Sequence, residues 1–203
     1  MSCRTGLAVA GLVAVASLAG CASRTLDVGY PATSANPALL GSVAPRRVAV
    51  VAVTDRRLDP SRIGAHPEDA KPIVTSRPVS DIVHAALVVE MDKNGHRVVV
   101  AGAFDISLAA EVEEFWLDAA GRAASTQYVG RVGIAVTLTD GRSGGRLFTR
   151  RYIGIKRLVA AADSRDAWRA VMDAALARTI RDVATDPEVA ATIGRAEVAT
   201  TPR

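Results

Sequence analysis

Cysteine is nearly absent from this sequence, and its two copies, Cys3 and Cys21, both lie close to the N-terminus. The rest of the chain therefore cannot hold a disulfide, a thiolate zinc site or a cysteine nucleophile. Lysine is also rare: of the 25 basic residues only Lys71, Lys93 and Lys156 are lysines, and the others are arginines. These are opposed by 21 acidic residues, so the net charge of +4 predicts a mixed surface without the dense basic patch that nucleic acids require.

Aromatic residues make up only 4% of the 203 residues, whereas hydrophobic residues as a whole make up 49% and charged residues 23%. These proportions allow a packed core, exclude wholesale disorder and suit one domain with extensions. The histidines are His66, His84 and His96, and no two of them stand at a metal-ligand spacing such as H-E-x-x-H. We therefore expect no metal and no cofactor.

Residues 1–20 have the pattern of a secretory signal peptide. Arg4 precedes an uncharged stretch, residues 5–23, that is apolar or small over most of its length. The stretch contains Leu18-Ala19-Gly20-Cys21, which resembles the bacterial lipobox, where the cysteine becomes the lipidated first residue of the mature chain. A transmembrane anchor of about 20 apolar residues is the alternative, and the cysteine directly after Leu-Ala-Gly favours the lipoprotein.

Lipidation at Cys21 predicts permanent attachment to a membrane, because lipoproteins of this type carry more than one acyl chain. Ala22 follows the cysteine and favours the outer membrane, with the protein facing the periplasm. Residues 21–45 are then a lipidated N-terminus and a flexible tether, since they contain several prolines and glycines and no periodic apolar pattern. The alternative is a segment that packs along the folded body, with Leu39 and Leu40 as its anchor.

The following residues, 46–195, predict a single two-layer α+β domain, and residues 196–203 form a polar tail. We expect a mixed, mostly antiparallel sheet of about five strands, in the order β-α-β-β-β-β-α, with two main helices on one face. The predicted strands are residues 47–53, 97–101, 106–117, 128–139 and 147–155, and the helices are residues 77–94 and 164–184.

Three finer features are predicted within this order. The first two strands are parallel, because a crossover helix joins them. The alternation of the third strand breaks near Glu113, which indicates a β-bulge. The polar loop at residues 55–75 is too long for a simple connection, so it contains a short hairpin or has a function.

Two patterns suggest catalysis but have simpler interpretations. Residues 141–145 match G-x-S-x-G with Ser143 at the centre, yet their flanks predict strand and strand, so a hairpin turn is favoured over a nucleophile elbow. His84 lies three residues after Asp81, and a triad with Ser76 or Ser80 is conceivable. Neighbours on one helix cannot easily aim at a common substrate atom, so a half-exposed surface histidine is the favoured interpretation.

Three residues are candidates for a partner contact. Arg56 and Arg57 follow the first strand, and strand ends are where open sheets with crossover helices bind ligands. The simpler interpretation, which we favour for them, is a solvated loop in which Asp55 caps local amides. Trp116 stands beside the acidic residues Glu113 and Glu114 and could form a partner edge, although aromatic residues in strands usually belong to the core.

The whole pattern resembles the YajG-like family of Gram-negative bacterial lipoproteins. The resemblance rests on the lipobox, a strand that leads into Asp55-x-Arg57, Ile63-Gly64, Pro78-Val79 at a helix start, Gly95 before a strand, and a final helix running into Ile180-x-x-Val183. It implies an envelope protein without an established activity and offers no catalytic residues.

The expected function is therefore a lipid-anchored periplasmic protein of a non-enzymatic binding or assembly type, whose partners are the membrane, through Cys21, and an envelope protein. An accessory lipoprotein of a transport or peptidoglycan-synthesis machine is one alternative. An envelope hydrolase using Ser143 or His84 is a less favoured one.

Overall fold

The computed structural model of the chain describes residues 24–31, 38–122, 125–161 and 163–196. These residues form a mixed α+β fold in which an open sheet of eight strands carries three helices. The α+β class is thus confirmed, but the sheet is larger than the five strands expected. The additional strands are all short: β1 (Arg24–Leu26), β3 (Gly64–Ala65) and β4 (Pro72–Thr75).

The remaining strands are β2 (Arg47–Asp55), β5 (Arg97–Val98), β6 (Ile106–Arg122), β7 (Ser125–Asp140) and β8 (Arg146–Ala160). The long strands β6, β7 and β8 form an antiparallel meander, with β8 at the edge. β2 lies parallel to the first half of β6, and β5 lies parallel to β2, as the crossover predicted. β3 and β4 are the hairpin expected in the polar loop; β3 also pairs with β6, and β1 with β4.

The helices are α1 (Val79–Lys93), α2 (Arg165–Ala184) and α3 (Pro187–Arg195). They cover one face of the sheet, α1 above β2 and α2 above β7 and β8, and the core lies between the two layers. Ser164 caps α2 by accepting a hydrogen bond from the backbone N–H of Ala167 at 3.0 Å. α1 starts without a side-chain cap, because its N-cap position is held by Pro78, whose side chain has no acceptor.

Helix α2 approaches the sheet so closely that only glycine fits beneath it at Gly154. A β-carbon at this position would fall 2.3 Å from the carbonyl oxygen of Ala175 and 2.4 Å from the hydroxyl oxygen of Thr179. That hydroxyl also donates to the carbonyl of Val132 at 2.9 Å, which ties the helix to β7. The glycine thereby sets the spacing between the layers.

A β-bulge in β6 divides the strand into two halves with opposite alternation. The cross-strand register with β7 shifts between Val112 and Glu114, which leaves Glu113 as the additional residue. Before the bulge the even-numbered residues lie under the helices, as at Leu108 and Val112; after it the odd-numbered ones do, as at Phe115 and Leu117. The bulge near Glu113 is therefore confirmed.

Part of the segment predicted as a tether belongs to the folded body. β1 extends the sheet, and Leu26 and Val28 are 3% and 0% exposed. Leu40 is also fully buried, and its carbonyl accepts a hydrogen bond from the ring of His96 at 3.2 Å. The packing of residues 24–31 and of Leu40 agrees with the alternative, a segment that packs along the folded body.

Candidate functional site

Among the residues that the structure describes, no helix covers one side of the sheet along β6, β7 and β8. We call this surface the open face and define it by the side chains that point there: Glu114, Trp116, Asp118, Arg131, Gly133, Arg151, Ile153 and Ile155. Its two isoleucines, Ile153 and Ile155, are 44% and 47% exposed. The open face thus places accessible aliphatic side chains beside an aromatic one and charged ones, which makes it a candidate interaction site.

Trp116 lies at the centre of the open face in a network of charged side chains. Its indole N–H donates to Asp118 at 2.8 Å, and Arg131, its neighbour on β7, bridges Asp118 and Glu114 with two contacts of 2.6 Å. Partial burial would lower the pKa of Arg131, but its hydrogen bonds to both carboxylates outweigh burial and raise the pKa above the ordinary value. The guanidinium of Arg62 also lies 5.7 Å from the centre of the indole ring.

Arg57 holds the loop after β2 beside Trp116. Its side chain is 5% exposed and forms a double contact with Asp55, through Nε at 2.9 Å and Nη2 at 2.7 Å. The Arg57 guanidinium also donates to the carbonyl oxygens of Arg62, Pro60 and Phe115 at 2.8, 3.1 and 3.3 Å. Burial would raise the pKa of Asp55, but hydrogen bonds from Arg57 hold it below its ordinary value.

The loop and the open face together enclose a groove of ≈ 490 Å³. Leu58 stands fully exposed at its rim, and Arg151 pairs with Glu113 at 2.5 Å on the opposite wall. The groove is lined by Arg57, Leu58, Asp59, Glu113, Glu114, Phe115, Trp116, Arg131 and Arg151. It therefore combines an aromatic side chain, an exposed aliphatic side chain and paired charges of both signs.

The structure brings two of the three predicted contact residues, Arg57 and Trp116, to the same groove. Arg56 lies outside it, exposed, with its Nε 3.7 Å from Glu111. Because the donors of Arg57 are engaged within the chain, its part there is to position the loop, whereas Trp116 offers accessible surface. Cys21, the predicted lipidation site, lies outside the described residues.

The sequence did not single out Leu58, Arg131 or Arg151 as site residues. Leu58 is an isolated apolar residue in a polar loop, and such residues are common at protein surfaces. Arg131 and Arg151 join the site through the register of β6, β7 and β8, which pairs Trp116 with Arg131 and Arg131 with Ile155. The alternation of each strand was visible in the sequence, but it gave no register between strands.

A second polar cluster lies near the start of β7, under the start of α2. Asp163 accepts hydrogen bonds from Tyr128 at 2.5 Å and Trp168 at 2.7 Å, and lies 2.6 Å from Nε2 of His66. Burial would raise the pKa of Asp163, but these hydrogen bonds outweigh it and hold the pKa below its ordinary value. His66 is 3% exposed, and its other ring nitrogen faces Asp69 at 3.1 Å. Both nitrogens are thus occupied, so the cluster serves to fasten the β3–β4 hairpin to α2.

The patterns that suggested catalysis are separated in the structure. Ser143 is exposed in the β7–β8 turn, where its hydroxyl donates to Asp140 at 2.9 Å. The ring of His84 lies 3.2 Å from the carbonyl oxygen of Val50, beneath α1. No hydrogen bond found among the described residues joins Ser143 to a histidine.

Two absences concern only the part of the chain that the structure describes. Within it, no set of three or more acidic, histidine or cysteine side chains is arranged to bind a metal ion. The same residues contain no helix with the length and apolar character needed to cross a membrane.

Comparison with known proteins identifies the fold. No protein-family model and no curated protein matches the chain. The fold is similar to the crystal structure of protein XCC0632 from Xanthomonas campestris, of the family DUF330, with a TM-score of 0.58 and 16% identity over 83% of this chain and 94% of that one. At this identity the similarity shows the fold alone.

Similar structures at lower scores include two bacterial lipoproteins. A minor lipoprotein from Acinetobacter baumannii has a TM-score of 0.38 and 11% identity over 75% of this chain and 92% of that one. Lipoprotein GNA1162 from Neisseria meningitidis has a TM-score of 0.28 and 13% identity over 61% and 90% of the two chains. Scores this low carry no argument about function. None of these three structures is named as YajG-like, so that resemblance stays a prediction.

Proposed function

We propose that this chain is a lipid-anchored protein of the bacterial cell envelope that binds a protein partner and catalyses no reaction. The observation that carries the proposal is the open face with its groove around Trp116. Tryptophan and arginine are enriched at the centres of protein interfaces, and Trp116, Arg131 and Arg151 meet in this groove. Paired carboxylates keep both arginines in place, so the surface is prepared for a partner before binding.

The anchor, the outer-membrane location and the YajG-like family belong to the same proposal. They are supported by the lipobox at Cys21 and by Ala22. An accessory role in an envelope transport or peptidoglycan-synthesis machine is one form of this function, and the identity of the partner decides it.

The test of the binding function is crosslinking in intact cells from two positions on the open face, followed by mass spectrometry. A photoreactive side chain at position 116 or 155 should capture the same protein, because Trp116 and Ile155 lie in one row across the sheet. The matched control is position 143, in the exposed β7–β8 turn. Recovery of only lipid and abundant porins from all three positions would contradict a specific partner.

The test of the anchor is the variant Cys21→Ala. Without the thiol no thioether to the diacylglyceryl group can form, so we expect release into the soluble fraction or a block in processing. Unchanged fractionation with the membrane would contradict the anchor and leave the open face as a separate hypothesis.

A further inference from the structure

The predicted lipidation site stands very close to the folded body. β1 begins at Arg24, so Ala22 and Ser23 are the two residues between it and Cys21. Three peptide steps span at most about 11 Å when fully extended. A chain of this length cannot act as a flexible tether, and it confines the acyl chains to the neighbourhood of Arg24.

Residues 24–30 are fastened to the body along their length. β1 pairs in parallel with β4 from Arg24 onwards, and the side chains of Leu26 and Val28 are buried. The backbone N–H of Gly29 then donates to Asp173 at 2.9 Å, and the hydroxyl of Tyr30 donates to the buried Glu90. The segment that follows the anchor is therefore a structural strand with a fixed place on the body.

Arg24 lies towards one end of the long strands, because its row across the sheet runs through Leu117 and Gly130, which is nearer the start of β7 than its final turn. Its guanidinium lies 3.7 Å from Asp163 and 5.7 Å from the centre of the Trp168 ring, at the start of α2. Asp163 also accepts the hydrogen bond of Tyr128, which lies near the start of β7. We call this part the anchored end and define it by the start of β1, the end of β6, the start of β7, the end of β8 and the start of α2.

The β7–β8 turn around Ser143 lies at the other end of the strands. β7 runs from Tyr128 to Asp140 before this turn, a rise of about 40 Å at 3.3 Å per residue. The anchor can reach a body of this length at one end only.

We infer that the protein stands upright on the bilayer, with the anchored end against the lipid headgroups and the β7–β8 turn directed away from them. The inference rests on lipidation at Cys21, which is part of the proposed function. In this orientation the strands run at a steep angle to the bilayer, and the open face is presented sideways above it. A partner held in the same membrane can then reach Trp116 and Ile155 without leaving the bilayer.

The test uses two single-cysteine variants of the lipidated protein in phospholipid vesicles that carry a quencher on their headgroups. Ala120→Cys places a fluorescent label on the exposed end of β6, at the anchored end, and Ser143→Cys places the same label on the exposed opposite turn. We expect quenching at position 120 to exceed that at position 143 by at least about threefold, because the positions lie about 40 Å apart along the strands. Circular dichroism verifies that both variants fold.

The matched control inserts about 20 glycine and serine residues between Ser23 and Arg24. Such a linker has a root-mean-square length of about 25 Å, so the body can tumble and the difference between the two labels should disappear. Equal quenching of the two labels without the inserted linker would overturn the upright orientation. Recovery as a soluble protein that takes up a second label at a free Cys21 thiol would instead overturn the lipid anchor, and the orientation with it.

Discussion

β7 presents two different surfaces, and each residue along it belongs to one or the other. Under the helices, Val132, Ile134 and Val136 are fully buried, and Gly130 lies beneath Val171 and Met172 of α2. On the open face, the residues of β7 are only half-buried or small, and the facing aliphatic residues of β8 remain close to half exposed. The same strand thus serves a packed interior on one side and a solvent-accessible surface on the other.

The difference shows where this chain is constrained by folding and where it is not. The covered face gains most of the hydrophobic stabilisation, because its apolar area leaves water completely. The open face keeps apolar side chains in water, and its ion pairs are partly exposed and so contribute little. Folding alone does not require Trp116 or Ile155 on the open face, which favours a binding role for them. Three matched pairs of variants test this comparison.

The largest difference is expected between two isoleucines on opposite faces of adjacent strands. Ile134→Ala opens a cavity under the helices and should lower the free energy of unfolding by about 2–5 kcal/mol. Ile153→Ala removes a side chain that is 44% exposed and should cost less than about 1 kcal/mol. Urea unfolding of both variants measures the difference. Equal losses would mean that the open face is covered by another part of the chain.

The second pair compares carboxylates in the two polar clusters. Asp163→Asn weakens charged hydrogen bonds from Tyr128 and Trp168 and should cost about 1.5–3 kcal/mol. Asp118→Asn, at a side chain that is 48% exposed, should cost about 0.2–1 kcal/mol. Urea unfolding at neutral pH measures the loss in free energy of unfolding for the two variants. A larger loss for Asp118→Asn than for Asp163→Asn would mean that the stabilising cluster lies on the open face.

The stability difference between the native protein and Asp163→Asn depends on pH, in a sense set by the direction of the Asp163 pKa shift. Because the pKa of Asp163 is lower in the folded chain than in the unfolded one, the charged group stabilises the fold above the unfolded pKa, and this stabilisation is lost as the pH falls towards the folded pKa. The stability gap between the native protein and Asp163→Asn should therefore narrow in acid. A gap that stays constant from neutral to acid pH would contradict the assigned cause.

The smallest difference is expected between two glycines. Gly154→Ala forces a β-carbon into the backbone of α2 and should cost about 1–3 kcal/mol. At Gly133 on the open face, a β-carbon would lie 3.3 Å from the Glu114 β-carbon, a tight contact that a small shift relieves, so Gly133→Ala should cost about 1 kcal/mol or less. Thermal unfolding of the two variants measures the difference in stability. A tolerated Gly154→Ala would mean that α2 does not rest directly on β8.

The sequence predicted the long elements well, because each repeats its period over many residues. β7 and β8 extend the predicted alternation, and α2 coincides with the predicted helix within one residue. β1 was not predicted, and β3 and β4 were predicted only as a short hairpin without bounds, because strands of two to four residues are too short to show a period. Their place in the sheet depends on partners far away in the chain.

The candidate site was predictable only in part for a related reason. Trp116 was visible as an aromatic residue beside acidic ones, but its neighbours Arg131 and Ile155 are set by the register of three strands. His66 was predicted to lie in a polar loop, and its burial comes from contacts with Asp163 and the ring of Trp168. Such contacts between distant residues have no local signature.

The bulge at Glu113 acts like a corrected frameshift in β6. Because side chains alternate with a period of two, one additional residue in a regular strand would exchange the two faces for everything that follows it. The bulge absorbs that residue, since Val112 still pairs with Ile134 and Glu114 with Gly133, so Phe115 and Leu117 stay under the helices and Trp116 stays on the open face. Deleting Glu113 would therefore remove the bulge and leave the binding surface and the core beneath it with the same residues.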